Sequence, residues 1–339
     1  MQAILAVTIP FFALVLAGWL AARQGVLPES AIPGLNAYVL YFALPCLLMR
    51  FGMSMPVADL LNPWLLLVYL VCALLIVGFR VAVSLNARGG LRDASFVALV
   101  AAFPNTGFMG VPLLAALLGP EAAGPVICSI LADLFVTSSM CIALSQLQAP
   151  PPGKPGAQAA LQANRQRGPY SARHAALRAL RGAVSNPLPW SIALGAVLSA
   201  AQWRLLGPVD TVVRMLADSA SPVALFAIGA VLWRAGVHAH TQTAVADYLP
   251  VALIKLLLHP LLVLAVGSAA RALGAPVSAF QLMVLTLAAA LPSASNVALL
   301  TERYGADSGR ITRIIIASTV LAFASFSGLA WMFGVRPGI

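Results

Sequence analysis

Phe103-Pro104-Asn105-Thr106-Gly107-Phe108-Met109-Gly110-Val111-Pro112 and Leu291-Pro292-Ser293-Ala294-Ser295-Asn296 each lie in the middle of an apolar segment. Each combines proline with small residues and with residues bearing a hydroxyl or an amide. An interior proline removes a backbone donor and clashes with the preceding turn, so a helix kinks or breaks there. Hydrocarbon offers no water to the carbonyls and amides released, so non-helical backbone at that depth must be buried in protein or line a wet cavity. A broken helix presents unpaired N–H groups and the positive end of its dipole, which suits an anion. Two such breaks at matching places in two halves of a chain point to the binding site of a secondary transporter.

Composition puts both stretches in a membrane. The 339 residues are 61% hydrophobic and 9% charged, with a mean hydropathy of +0.93, whereas soluble domains carry about 25% charged residues. At about 20 residues per crossing, ten spans are expected, at 4–22, 31–52, 62–84, 95–118, 124–147, 187–205, 211–233, 246–272, 277–301 and 311–334. The fold class is therefore an all-α polytopic membrane protein. Met1-Gln2-Ala3 has no basic residue ahead of the first apolar run and reads as a retained span, not a cleaved signal. The one long polar stretch, 148–186, opens on Pro150-Pro151-Pro152-Gly153 and turns basic. It reads either as a helix lying on an anionic leaflet or as a solvated linker. Cys46, Cys72, Cys128 and Cys141 all fall inside spans without CxxC spacing, as small buried hydrophobes do.

Loop charge sets an orientation. With both termini outside, the inner loops hold Arg23, Arg80, Arg88, Arg92, Lys154, Arg165, Arg167, Arg173, Arg178, Arg181, Arg234, Arg303, Arg310 and Arg313, against Arg50, Arg204, Arg214, Arg271 and Arg336 on the outer side. That bias obeys the positive-inside rule. It accounts for the net charge of +10 without nucleic acid as a partner.

An internal repeat agrees with it. An offset of 177 carries Pro10 to Pro187, Gly18 to Gly195, Pro45 to Pro222 and Gly52 to Gly229, and an offset of 188 carries Pro104 to Pro292. Two five-span units follow, 1–147 and 187–339, joined by a cytoplasmic linker over 148–186. Five is odd, so the second unit enters from the opposite side and the repeat is inverted.

Phe103–Pro112 resembles the fourth-span motif of the auxin efflux carrier family in its bacterial branch. Leu44-Pro45-Cys46-Leu47-Leu48, Asp218-Ser219-Ala220-Ser221-Pro222-Val223-Ala224-Leu225-Phe226 and Leu291–Val297 are similar to its second, seventh and ninth spans. The resemblance runs over essentially all ten spans. It implies a five-plus-five inverted repeat related to sodium/proton antiporters and bile-acid transporters, in which broken spans 4 and 9 cross and hold an anion. Spans 1, 2, 6 and 7 would form a scaffold, and spans 3–5 and 8–10 would move against it. It further implies carriage of malonate, malate or a similar carboxylate, residence in a bacterial inner membrane among lipids, and, through the scaffold, a homodimer. The central loop of about forty residues departs from the plant branch.

The residues themselves nominate a site. Asn105 and Thr106 follow Pro104, where amides should be free; Ser293, Ser295 and Asn296 are the matching set after Pro292. Their amides and hydroxyls can donate to a carboxylate or merely satisfy broken backbone. Gly107 and Gly110 suit close helix crossing. Asp133 and Lys255 fall deep in their spans, where an ionisable group marks an ion or proton path by default. His259 lies four residues after Lys255 and shares its helix face. The alternative for all three is static packing. Asp218, before Ser221-Pro222, reads either as a second titrating site or as the cap of a helix starting there.

No HExxH, GxxxxGK[ST] or GxSxG motif occurs, and none calls for a metal or cofactor. The reading is a carrier of a small organic anion and not an enzyme, coupled to protons, sodium or membrane potential. An uncoupled channel or sensor-like anion-binding protein and a sodium/proton antiporter are the competing readings. The first should show a continuous polar lining and the second a pair of midplane carboxylates.

Overall fold

A computed structural model describes residues 1–56, 62–86, 90–147, 181, 184–237 and 243–335. The remainder of the basic linker 148–186, with Lys154, Arg165, Arg167, Arg173 and Arg178, lies outside the described residues, as do Arg88 and Arg336.

Among the described residues the chain is helical throughout, apart from loops and one isolated antiparallel pairing of Pro104 with Ser293. The helices are α1 (Gln2–Arg23), α2 (Glu29–Ser54), α3 (Pro63–Asn86), α4 (Leu91–Ala102), α5 (Thr106–Leu118), α6 (Pro120–Gln146), α7 (Pro187–Ala200), α8 (Gly207–Val237), α9 (Val245–Ala272), α10 (Ala279–Ala289), α11 (Asn296–Tyr304) and α12 (Ser308–Met332). Seven of them (α1, α2, α3, α6, α8, α9 and α12) are long and apolar enough to cross a membrane singly, while α5, α7 and α10 are shorter apolar helices. This is a multi-pass membrane protein. The segments expected at 95–118 and 277–301 are each two helices, α4 with α5 and α10 with α11, separated by the proline breaks.

Local chemistry explains the boundaries. Asn62 Oδ1 accepts from the Trp64 amide at 2.9 Å ahead of Pro63 and starts α3. Ser278 and Gln281 make a reciprocal capping box on α10. Asp307 caps α12 through the Arg310 amide at 3.1 Å. Not every proline interrupts: α1 runs on through Pro10 and α8 through Pro222. This corrects one reading, since no helix begins at Asp218 for it to cap.

Two glycine contacts set the packing of the long helices. A Cβ at Gly18 of α1 would sit 1.9 Å from the Phe226 carbonyl oxygen of α8, and one at Gly229 of α8 would sit 1.9 Å from that of Val15. Gly52 of α2 and Gly195 of α7 meet in the same manner, with Met49 O 2.3 Å from a Cβ at Gly195. Only glycine admits backbones this close. Short apolar α4 and α5 form the centre: Phe96 through Ala102 and Val111 through Leu114 are buried against α6, α10 and α12.

Candidate functional site

The two breaks meet. The Asn105 amide donates to Pro292 O at 2.8 Å and the Ala294 amide to Phe103 O at 3.0 Å, a two-bond exchange of the kind found between antiparallel strands. Ser293 Oγ donates to Val100 O at 2.7 Å in the last turn of α4, and the Ser293 amide donates to Ser318 Oγ of α12 at 3.2 Å. Val100 O, the carbonyl that Pro104 leaves without an amide, is thus taken up by the other break, and Phe103 O and Pro292 O are paired across the junction, as a buried backbone requires. The amides of Asn105 and Ala294 are therefore not free, contrary to the simplest reading of Pro104 and Pro292 as bare helix ends.

What stays open lies one step further along each chain. Helices α5 and α11 both start at this junction, with Asn105 and Ser295 in the capping position. Both are of residue types that normally cap a helix, yet neither side chain caps its own helix. Among the described residues no backbone bond is made by the amides of Gly107 and Phe108 on α5, or of Ser295 and Asn296 at α11. Thr106 Oγ1 and Asn296 Oδ1, each on the first residue of its helix, are buried without a hydrogen-bond partner. Asn105 is 3% exposed. Two positive helix ends therefore converge, each followed by an uncommitted amide or hydroxyl. Pro104, Asn105, Thr106, Pro292, Ser293, Ser295 and Asn296 all belong to this one junction. Ser293 differs from the rest in spending its hydroxyl proton on the protein.

A second buried group adjoins it. Asp133 of α6 accepts from the Tyr69 hydroxyl of α3 at 2.7 Å on Oδ2, with the Thr137 hydroxyl also near its carboxylate; among the described residues its Oδ1 makes no bond of full hydrogen-bond geometry. Lys255 of α9 donates to Ala289 O at 2.6 Å and contacts His259 Nδ1 at 3.2 Å; His259 Nε2 is unpartnered. The Tyr69 and His259 rings lie 5.7 Å apart. All four side chains are fully buried. Among the described residues no direct ion pair joins Lys255 to Asp133.

Ala289 is the last residue of α10, so the Lys255 ammonium sits on the negative end of the half-helix that leads into the Pro292 break. With Lys255 as the ammonium, its contact with His259 Nδ1 would make that nitrogen the acceptor and leave the ring proton on Nε2. Asp133 opens a π-helical turn, Asp133–Thr137, and Lys255 lies in another, Ile254–Leu258, while α5 itself begins with one, Thr106–Gly110. Such turns recur at functional positions because the extra residue re-aims the side chains around it.

Asp218 does not join this group: it is exposed along α8. Tyr69 is not singled out by the sequence, where it stands as the one tyrosine in a span whose other aromatics are Trp64 and Phe79. Its hydroxyl, on a helix with no other deep polar group before Arg80, was the signal available.

A family model described as a membrane transport protein matches residues 3–330. The chain belongs to the auxin efflux carrier family. Among the relatives of this family member, a protein of Rhizobium meliloti named "Putative malonate transporter" is 27% identical over all of this chain and 98% of its own length. An Escherichia coli K12 protein named "Uncharacterized transporter YfdV" is 24% identical over 97% and 96% of the two chains. An "Uncharacterized transporter" of Methanothermobacter thermautotrophicus is 26% identical over 92% of each. The family match and all three relatives span both proline breaks.

Proposed function

We propose that this transporter is a secondary carrier of a small organic anion, a mono- or dicarboxylate such as malonate or malate, held at the crossing of the two proline breaks. One observation carries the reading: two helices begin at the same buried junction with free amides, and neither residue at the capping position caps its own helix. A carboxylate placed there would receive donors from both halves of the chain, with the two helix dipoles adding to the attraction. The name of the Rhizobium relative favours malonate as the first compound to try.

Asp133, with Lys255 and His259, is the proposed coupling group for a proton or sodium ion. Its buried position beside Tyr69, and the hydrogen bond of neighbouring Lys255 to the end of α10, support that role. The reciprocal glycine contacts, α1 with α8 and α2 with α7, exchange under the same offset of 177 and support a five-plus-five inverted repeat of ten passes over 1–147 and 187–339. On that reading α1, α2, α7 and α8 are the scaffold, the other helices move against it, and scaffolds pair as a homodimer. Both termini face the outside of a bacterial inner membrane, with 148–186 in the cytoplasm.

Uptake of labelled malonate, malate and an aromatic acid into proteoliposomes, with and without imposed proton and sodium gradients, tests the assignment. Saturable uptake accelerated by one gradient supports it. Uptake indifferent to every gradient would make the protein a facilitator, and no uptake of any carboxylate removes the substrate class.

A further inference from the structure

The arginine-rich end of the bundle carries a buried cation that the transport reading does not use. Arg80 lies on the packed face of α3 in line with Ala73, Ile76 and Val77, and Ser84 follows one turn later. Both residues are 7% exposed, and among the described residues Arg80 Nε and Ser84 Oγ have no hydrogen-bond partner. The charged group nearest in effect is another cation, the Arg310 guanidinium of α12, which acts on Arg80 electrostatically. A guanidinium buried to this degree, with its Nε unbonded and a second, half-buried cation acting on it, calls for an anion.

Asp93 and Asp307, the carboxylates linked to the start of α12, each accept a backbone amide: Asp93 Oδ1 that of Asp307 at 2.8 Å, and Asp307 Oδ1 that of Arg310 at 3.1 Å. Arg310 reaches only a backbone acceptor, Asp247 O, at 3.0 Å from Nη2. Among the described residues no carboxylate accepts from Arg80. The chain has ten acidic residues in all, and the stretches 87–89, 148–183 and 238–242 contribute none of them.

We propose that Arg80 and Ser84 form a site for a phosphate-bearing anion, favoured by the positive charge of Arg310 and occupied by the head group of an anionic phospholipid. A guanidinium fork with a hydroxyl beside it matches the oxygens of a phosphate. Depth selects the source. Arg80 stands about 25 Å along α3 from Pro63 and about 9 Å short of its end, close to where a hydrocarbon core of about 30 Å gives way to lipid phosphates. Basic pockets between helices at that level take acidic head groups.

Nanodiscs test the site. The full chain is placed in discs of phosphatidylcholine alone, or of phosphatidylcholine with phosphatidylglycerol, and its thermal midpoint and retained lipid are followed, the latter by native mass spectrometry. Phosphatidylglycerol is expected to raise the midpoint and to be retained. Arg80→Gln should lose at least half of the rise, Ser84→Ala a smaller part, and Arg23→Gln, whose guanidinium lies 5.0 Å from the Trp19 ring centre, none. Arg80→Lys, which keeps the charge without the fork, decides the matter if the glutamine variant does not fold. In a second arm inorganic phosphate is compared with chloride at matched ionic strength in phosphatidylcholine discs. An Arg80-dependent effect of phosphate with none of phosphatidylglycerol keeps the oxyanion site and overturns the head group as its occupant. Equal lipid effects in the wild type, Arg80 variants and Ser84→Ala overturn the site.

Discussion

At the level of single residues, the junction separates side chains that hold the protein together from those that do not. Among the described residues the Asn105 side chain does not cap its helix and the Thr106 hydroxyl has no partner, whereas Ser293 ties one break to Val100. A hydrogen bond to a charged ligand contributes about 1.5–3 kcal/mol. Asn105→Ala is therefore expected to weaken carboxylate binding by about tenfold or more and to leave the thermal midpoint unchanged. Ser293→Ala should instead lower the midpoint, by the loss of about 1 kcal/mol. Binding titrations beside melting curves check both; an Asn105→Ala protein that binds normally removes that residue from the site. Asp133 invites a second comparison. Asp133→Asn, which cannot exchange a proton, should abolish acceleration of uptake by a gradient while leaving substrate exchange measurable. Tyr69→Phe, which retains the ring against His259 and loses only the hydroxyl bond, should give an intermediate loss. Gradient-driven uptake in Asp133→Asn equal to wild type would make the group a packing device.

At the scale of helices, glycine contacts make a quantitative prediction with a control inside the same protein. A methyl at Gly229 meets the Val15 carbonyl oxygen at 1.9 Å, so the α1–α8 contact must open, at a cost of about 1–3 kcal/mol for overpacking. Gly78 of α3 has nothing within 4 Å of the same methyl, and Gly78→Ala should be neutral or stabilising by up to about 1 kcal/mol. Melting curves for the two variants should move in opposite directions, or only Gly229→Ala should move.

The helices also mark where sequence reading succeeds. Pro104 and Pro292 were legible as breaks because amide- and hydroxyl-bearing neighbours accompany each of them. Pro222 looked similar, yet α8 continues through it, because a membrane helix tolerates proline wherever its surroundings satisfy the released carbonyl. Those surroundings are tertiary and leave no mark in the local sequence. For the same reason Tyr69 was invisible as a partner of Asp133: counting residues from a span's start gives depth along one helix, but not which helices lie side by side. Asp218 lies exposed within α8 and caps no helix; because α8 is apolar on several faces, its exposed side cannot be told from its buried one in the sequence.

At the scale of the whole molecule, the crossing lies between two clefts at opposite ends of α2. One, of about 420 Å³, is lined by Ser54 and Met55 from the end of α2 and by Glu121, Ser278 and Gln281 around the starts of α6 and α10. The other, of about 280 Å³, is lined by Glu29 at the start of α2, Arg234 near the end of α8, and Ala298 and Glu302 of α11. In each, proposed scaffold helices face helices that carry the breaks. Rocking of one group against the other would deepen one cleft as it closes the other, which is the motion alternating access requires. In a background with Cys46, Cys72, Cys128 and Cys141 replaced, Ser54→Cys with Gln281→Cys spans the first cleft, and Glu29→Cys with Glu302→Cys the second. A short bifunctional cross-linker should arrest transport through either pair, and transport should return when a cleavable linker is cut. Reaction at one pair should slow reaction at the other when all four cysteines are present, since a single molecule cannot close both clefts at once. Full transport with either pair cross-linked, or independent reaction of the two, would mean that the anion crosses without this motion, as through a fixed channel.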